Sequence, residues 1–481
     1  MNADSAPDEF DLSALFRYRR ALVVGCGASG IAAAELLAAA GVELRLYDRR
    51  AEVPGLDECP GLAGATTYFG AEQAPESAFE GLDLLVLSPG VPPGPWRARH
   101  RREVPEAEVH GELSLALSVL AGRTLPTILI TGTNGKSTVT ALTGALLEAG
   151  GLRPFVGGNL GVPLSRRLLE VARGEVELPG ALVLECSSYQ LETLRPAPEA
   201  PATSVAMVLN VSPDHLARYD SIDHYAETKA RIFEGLGASS LALLSAADPY
   251  TERIQVRVPP VSECLLVDGE APPQLVGYGQ VLELREGERY LRSGVALVGR
   301  HNLVNALFAL AAARHLGVGV QECTRALAEF EALPHRMRVI AEREGVLYID
   351  DSKATNVAAV LAGVDGFERR LVLICGGRAK QGDSLEPLAA VLARQGRGVV
   401  ALGESAAQFL TMAGQTVPTA HAADMREAVR LAADMAQPGD AVLLSPACAS
   451  WDMYRSFVHR GEVFAEAVAA LDEPDDAQAP P

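Results

Sequence analysis

Positive charge is in short supply: 42 lysines and arginines face 61 aspartates and glutamates, and the formal net charge is −19. A general nucleic-acid binder needs a basic footprint, and an anionic membrane surface recruits polybasic segments. Neither partner is expected. Any phosphate-bearing ligand must be held by local lysines, backbone N–H groups and helix ends. Cysteine is sparse too. Cys26, Cys59, Cys186, Cys264, Cys323, Cys375 and Cys448 are scattered, with no C-x-x-C pair. An odd, dispersed set fits reduced thiols in a cytoplasm better than a disulfide framework. No run of about 18 apolar residues offers a membrane span. The acidic start "MNADSAPDEFDLSALF" lacks the apolar core of a secretory signal. No internal repeat of fixed period is evident.

What is present is ordinary globular material, 48% hydrophobic and 21% charged over 481 residues. At roughly 150 residues per domain, the chain should hold about three. Apolar strand-like runs alternate with alanine- and leucine-rich helical runs, the pattern of α/β domains with mostly parallel sheets. Eight runs end in polar clusters: "ALVVG", "LLVLS", "TILIT", "ALVLE", "VAMVLN", "VLYID", "LVLIC" and "AVLLS". Ligands of open α/β sheets bind beyond the carboxyl ends of strands, so more than one active sheet edge is expected. The charged, proline-bearing stretch 95–109 reads as a linker, and "EALPHRMR" precedes a new strand. The predicted domains are therefore 1–105, 106–332 and 333–481. The basic cluster Arg97 to Arg102 reads as solvated surface, and the tail "LDEPDDAQAPP" as disordered.

Two glycine loops point to phosphate. Gly25, Gly27 and Gly30 fit G-x-G-x-x-G between a strand and a helix, and Asp48 ends the next strand where an acid could accept ribose hydroxyls. Any nucleotide diphosphate would find the same helix N-terminus; on these residues alone an NAD(P)-dependent oxidoreductase stays open. The second loop, Gly132-Thr133-Asn134-Gly135-Lys136-Ser137-Thr138, is shorter than G-x-x-x-x-G-K-[ST], because Ile130 stands where the first glycine belongs. Its physics survives. Backbone N–H groups can face phosphates, Lys136 can bridge the β and γ groups, and Ser137 can hold magnesium. Glu185, at a later strand end, is a candidate second contact to that metal. ATP is expected at this loop.

"TGTNGKST", "ECSSYQLE", "NVSPDHL", "TKARIF", "GRHNLVNALFAL", "PHRM", "DDSKATN" and "SPACASWDMYRSFVHRGEVF" together resemble the Mur ligase family, from about residue 20 to 465. "DDSKATN" and "SPACAS" point to its branch that adds D-glutamate to UDP-N-acetylmuramoyl-L-alanine. The resemblance implies an α/β protein of three domains: an N-terminal Rossmann-like domain for the UDP end, a central P-loop-type ATPase with a mostly parallel sheet, and a C-terminal Rossmann-like domain for the amino acid. A cytoplasmic protein acting as a monomer is expected. The resemblance also implies a two-step amide synthesis through an acyl phosphate, with ATP, Mg2+ and a lysine carbamylated by carbon dioxide.

Residue by residue, the resemblance gives Lys136 the γ-phosphate and Ser137 and Glu185 one magnesium. His215 matches a ligand of a second magnesium, and Lys229 the carbamylated lysine; read alone, Lys229 would be a helix-surface lysine. Asn302 and Asn305, i and i+3 on one helix, would face the nucleotide with Arg336 and Asp351, while Lys353 would position the acyl phosphate. Gly27, Ser29, Asp48, Gly90 and Asn159 would line the UDP-substrate site. Thr355, Lys380, Ser450 and Phe457 would take D-glutamate. "GGRAKQGD" around Lys380 is a loose version of the family segment, and Trp451 and Tyr454 stand where other residues are common. A ligase for another amino acid and a non-catalytic nucleotide-binding regulator are the remaining alternatives.

Overall fold

The computed structural model describes residues 10–195, 203–215, 217–277, 279–285, 287–297, 299–364, 367, 369–379 and 384–472. Lys380 lies outside the described residues. All eight polar-ended runs form strands.

The first sheet contains β1 (Arg20–Val24), β2 (Glu43–Asp48), β3 (Thr66–Phe69), β4 (Leu84–Leu87) and β5 (Glu108–Gly111). Its order is β3-β2-β1-β4-β5, with every pair parallel. The order reverses at β1, which opens a crevice beyond the ends of β1 and β4. Helices α1 (Ala28–Ala39), α2 (Pro93–Glu103) and α3 (Glu112–Val119) connect or follow these strands. The stretch read as a linker is thus α2 and β5, and β5 hydrogen-bonds to β4.

The second sheet is built from β6 (Thr127–Thr131), β7 (Pro154–Gly158), β8 (Ala181–Glu185), β9 (Thr203–Val208), β10 (Leu236–Ser245) and β11 (Glu263–Val267). Its order is β11-β10-β9-β6-β8-β7, again all parallel. β6 and β8 are buried along their whole length, which is why they read as unbroken apolar runs. Around them lie α4 (Lys136–Ala149), α5 (Leu164–Ala172), α6 (Ser188–Leu191), α7 (Ile222–Ala230) and α8 (Thr251–Gln255). Ser187 and Gln190 make a reciprocal capping box at the start of α6, and Ser221 caps α7. A three-stranded sheet, β12 (Gln274–Val276), β13 (Val281–Arg285) and β14 (Glu288–Leu291), precedes α9 (Arg300–His315) and α10 (Val320–Glu329).

The fourth sheet has β15 (Arg338–Arg343), β16 (Val346–Asp350), β17 (Leu371–Gly376), β18 (Gly396–Leu402), β19 (Thr419–His421) and β20 (Ala441–Leu444) in the order β15-β16-β20-β17-β18-β19. Only the β15–β16 pair is antiparallel. Its helices are α11 (Val357–Val364), α12 (Glu386–Gln395), α13 (Ala406–Ala413), α14 (Met425–Met435) and α15 (Phe457–Ala469).

Two compact units result. The first comprises 1–275, 282–290 and 305–327, and the second 276–281, 291–304 and 328–481. Within the first, one continuous apolar core runs from Leu15 and Leu37 through Leu115 and Leu168 to Leu184 and Phe233. Helices α1, α3 and α5 pack together there, and Arg166 pairs with the buried Glu35. In the second unit, apolar side chains cover both faces of the fourth sheet. Among the described residues, no helix is long and apolar enough to cross a membrane.

Candidate functional site

The crevice beyond β1 and β4 is a cavity of about 840 Å³. Gly27, Ser29, Asp48, Gly90 and Asn159, scattered over more than a hundred positions of chain, all line it. Gly25 adopts φ +85°, a conformation open to glycine at little cost. A β-carbon on Gly30 would overlap Gly25 O and lie 2.5 Å from Ser88 Oγ. Asp48 has a task the sequence did not show. Its Oδ2 accepts from the Cys26 N–H at 2.8 Å, and Arg50 donates to both carboxylate oxygens. The Arg50 guanidinium holds the Asp48 carboxyl down at about 2. Asp48 therefore ties the glycine loop in place as well as lining the cavity.

The basic cluster on α2 is not merely solvated. Arg97 is half-buried and donates to Glu192 O at 2.7 Å. Arg99 and Arg102 line the cavity with Arg49, Arg50 and Trp96. Trp96 stacks on Phe79 with ring centroids 6.1 Å apart. Cationic side chains thus surround a helix N-terminus, a combination suited to a diphosphate.

The second glycine loop joins β6 to α4. Gly135 caps the helix at φ +83°, and a β-carbon there would meet Asn305 Oδ1 at 2.7 Å. The segment after β9 clamps the loop. Thr133 N–H donates to Asn210 O at 2.9 Å, Asn134 N–H to Asn210 Oδ1 at 2.9 Å, and Asn210 Nδ2 returns a bond to Asn134 O. Asn210 was not singled out from the sequence, although it ends the quoted run "VAMVLN". Ser137 and Thr138 are buried in the first turn of α4.

Two amines converge on one oxygen of this loop. Lys136 Nζ donates to Gly132 O at 2.9 Å and Lys229 Nζ donates to the same atom at 2.8 Å. Lys229 is only 1% exposed, so its reading as a surface lysine fails. Burial, and then the nearby Lys136 charge, push its pKa well below the usual lysine range. Its Nζ also sits 4.4 Å from the Tyr225 ring centroid.

Glu185 ends β8 beside Ile130 of β6. Its Oε1 accepts from Asn159 Nδ2 at 2.6 Å, while the buried Oε2 has no hydrogen-bond partner. An orphaned carboxylate oxygen beside a phosphate-type loop fits a divalent cation. His215 stands beyond β9 with φ +56°. Its Nδ1 lies 3.0 Å from Tyr189 Oη, and its Nε2 3.7 Å from Asp214 Oδ2. Among the described residues no group of three His, Cys, Asp or Glu side chains could hold a metal alone. Magnesium is commonly held by one or two carboxylates plus substrate phosphates, so this donor set remains compatible with it.

Asn302 and Asn305 are buried one turn apart on α9. The remaining candidates lie in the second unit. Asp351 follows β16; it accepts from Ser445 Oγ at 2.7 Å and from the Met337 N–H at 3.2 Å. Burial pushes its carboxyl up to about 7, partly offset by the Ser445 and Met337 hydrogen bonds and then by the Arg336 charge. Lys353 Nζ lies 3.7 Å from the Phe457 ring centroid. Ser450 is buried, Thr355 half-buried, and Trp451 67% exposed.

Family models match three successive stretches. Residues 19–97 match the Mur ligase MurD-like N-terminal domain, 130–313 the Mur ligase middle domain, and 335–448 the Mur ligase glutamate ligase domain. The chain belongs to the Mur ligase family. Relatives with a more particular name cover nearly all of it. A protein of Aromatoleum aromaticum named UDP-N-acetylmuramoylalanine--D-glutamate ligase is 42% identical over 95% of this chain and 98% of its own length. One of the same name from Anaeromyxobacter dehalogenans is 41% identical over 92% and 96%. Among solved structures, MurF ligase from Thermotoga maritima in complex with ADP shares the fold at a TM-score of 0.57 and 18% identity, covering 89% of this chain and 95% of that one. UDP-N-acetylmuramate-alanine ligase MurC from the same organism does so at 0.53 and 19%, covering 94% and 99%.

Proposed function

We propose that this protein is an ATP-dependent amide ligase that adds D-glutamate to UDP-N-acetylmuramoyl-L-alanine through an acyl phosphate, in cytoplasmic synthesis of peptidoglycan precursors, and that it works as a monomer. The observation that carries the reading is the pair of amines, Lys136 and Lys229, converging on Gly132 O beside the orphaned Glu185 oxygen. A carboxylate and a triphosphate repel each other, so their union needs cations at one point, which Lys136 and a metal ion at Glu185 would supply, with Lys229 seated beside them. The amino acid is assigned from the relatives' name and from the hydroxyl and aromatic groups of Thr355, Ser450 and Phe457, with Lys380 as the added cation.

In this reading Lys136 leaves the loop carbonyls for the γ-phosphate. The loop N–H groups of 132–138 hold the phosphates, Asn302, Asn305, Arg336 and Asp351 hold the nucleoside, and Lys353 steadies the acyl phosphate. Ser137 and Glu185 would hold one Mg2+ and His215 a second; the ions would neutralise developing phosphate charge. Lys229, whose burial and nearby Lys136 charge disfavour the ammonium form, would act as a nucleophile in its neutral form. Its lone pair adds to carbon dioxide, the amine loses a proton, and a carbamate anion forms beside the loop. The cavity lined by Gly27, Ser29, Asp48, Gly90 and Asn159 takes the UDP end. The first and fourth sheets are read as Rossmann-like and the second as P-loop-like. The domains are read as 1–105, 106–332 and 333–481, with the first boundary moved beyond β5, which pairs with β4 of the first sheet.

The test is Lys136→Ala. Phosphate release with ATP, UDP-N-acetylmuramoyl-L-alanine and D-glutamate should fall by at least ~10³-fold, while calorimetric affinity for the UDP substrate stays within about threefold. Near-normal ligation by the variant would remove ATP from this loop. Replacing D-glutamate by L-lysine, diaminopimelate or L-alanine tests the amino acid.

A further inference from the structure

His335 carries a second chemical device in the second unit, one that "PHRM" did not disclose. Its Nδ1 lies 2.6 Å from Asp350 Oδ2. A carboxylate accepts and does not donate, so Nδ1 carries the proton and Nε2 of the neutral ring presents a lone pair. Asp350 is itself fixed, because its Oδ1 accepts from the Ser352 N–H at 2.9 Å. Ser352 in turn is gripped by the buried Arg460, whose Nε donates to Ser352 Oγ at 3.0 Å and Nη2 to Ser352 O at 2.8 Å. The Ser352 hydroxyl donates onward to Phe457 O at 2.8 Å.

Two backbone features show that this arrangement is built. His335 adopts φ +62°, a left-handed conformation that persists in a non-glycine residue only where its surroundings over-determine it. Gly461 lies inside α15, where glycine is unfavourable relative to alanine. A β-carbon there would fall within contact distance of His335 Nδ1 and 2.8 Å from Asp350 Oδ2. The glycine leaves the dyad its seat. The dyad also sits beside the residues already assigned to the acyl phosphate and D-glutamate. The His335 ring meets Phe457 edge-on at 6.1 Å, the Lys353 ammonium covers that same ring, and Lys353 N–H donates to His335 O at 3.0 Å.

We propose that His335, oriented by Asp350, is the general base that deprotonates the incoming amino group of the amino-acid substrate. The inference rests on the ligase reading above. The substrate ammonium gives one proton to Nε2, making an imidazolium stabilised by Asp350. The freed lone pair forms the C–N bond to the acyl-phosphate carbonyl carbon. The tetrahedral intermediate then breaks its C–O bond to phosphate, which leaves with the bonding pair and takes up the second proton from nitrogen. The charged groups nearest His335 in the chain and its hydrogen-bond network are Asp350, in direct contact at the end of β16, Asp351 next to it, Lys353, whose N–H donates to His335 O, the sequence neighbour Arg336, and Arg460 on α15, which grips Ser352.

The test compares His335→Gln, Asp350→Asn and Gly461→Ala with the unmodified enzyme, using D-glutamate and hydroxylamine in turn as acceptor. Hydroxylamine nitrogen is largely unprotonated at pH 7 and needs no base. Ligation of D-glutamate at pH 7 should fall ~10²–10⁴-fold, and hydroxamate formation by less than tenfold. In the variants, kcat/KM for D-glutamate should keep climbing tenfold per pH unit where the unmodified enzyme has levelled off. Equal losses with both acceptors, or no loss with either, would overturn the assignment. Absence of hydroxamate from the unmodified enzyme would instead overturn the acyl-phosphate reading beneath it. Gly461→Ala leaves both ring and carboxylate in the chain, so its loss with D-glutamate alone reports the seating of the dyad.

Discussion

Asn159 Nδ2 donates to Glu185 Oε1 at 2.6 Å, so a residue lining the cavity of the first sheet holds the carboxylate beside the lysine loop of the second. Gly158 makes the approach possible. It sits at φ +94°, and a β-carbon there would lie 2.5 Å from Glu185 O. The bond leaves Oε2 as the carboxylate's available oxygen.

Asn159→Ala should therefore disturb two ligands together. Hydrogen bonds to charged groups contribute about 1.5–3 kcal/mol, which corresponds to ~10–100-fold in affinity. The apparent Mg2+ requirement and the KM for the UDP substrate should both rise by roughly tenfold or more. Steady-state titrations of each ligand at saturating amounts of the other check this. A change confined to the UDP substrate would mean that Glu185 holds its position without Asn159.

Lys229→Met should separate stability from activity. The folded-state pKa of Lys229 lies well below its ordinary 10.5, so between those two values the unfolded chain binds more protons. Stability then rises with pH through that window, and the penalty is complete below it. In CO2-free buffer at pH 7 the methionine variant should be more stable by about 1–2 kcal/mol. That gain should shrink as pH approaches 10.5, while turnover is lost by at least ~10²-fold. Urea melts at pH 7 and pH 10 with a ligation assay decide it.

Asp351 runs the other way. Its folded carboxyl is raised from 3.8 to about 7, so the native state binds the extra proton. Stability falls as pH rises from about 4 through 7 and is flat above. Asp351→Asn keeps an acceptor for the Met337 N–H and offers its amide to Ser445 Oγ. It should stabilise the protein by roughly 1–3 kcal/mol at pH 8 and by almost nothing near pH 4. Chemical denaturation at the two pH values measures the difference.

Gly30→Ala should be destabilising although alanine is the better helix former. The added methyl would overlap Gly25 O and crowd Ser88 Oγ, and overpacking costs about 1–3 kcal/mol against ~0.5–1 kcal/mol of helix gain. A net loss of about 1–2 kcal/mol and a raised KM for the UDP substrate are expected. An unchanged denaturation midpoint would show that the loop can shift freely.

Much of this architecture was legible along the chain because its signals are local. A buried parallel strand is an unbroken apolar run, and a phosphate loop needs glycine, lysine and a helix start in succession. Both glycine loops and all eight polar strand ends could be read that way. The stretch 95–109 could not. Proline and arginine there suggested an exposed linker, but the arginines of α2 turn to Glu192 O, to the Phe79 ring and to the cavity. Asn210 and the His335–Asp350 pair were equally silent, since a polar residue after a strand looks the same whether it closes a turn or clamps a loop.

By itself the sequence determined which segments become strands and helices, where glycine permits a left-handed turn, and which residue types stand at the strand ends. Those properties depend on neighbours a few positions away. The tertiary structure decided the partners: Asn159 with Glu185, Lys136 with Lys229 on one carbonyl, and Gly461 beneath His335. Such contacts follow from the order of strands in a sheet and the packing of helices upon it. Burial in that packing is also what lowers the Lys229 pKa and raises that of Asp351, because a charge loses its hydration only once distant parts of the chain close around it.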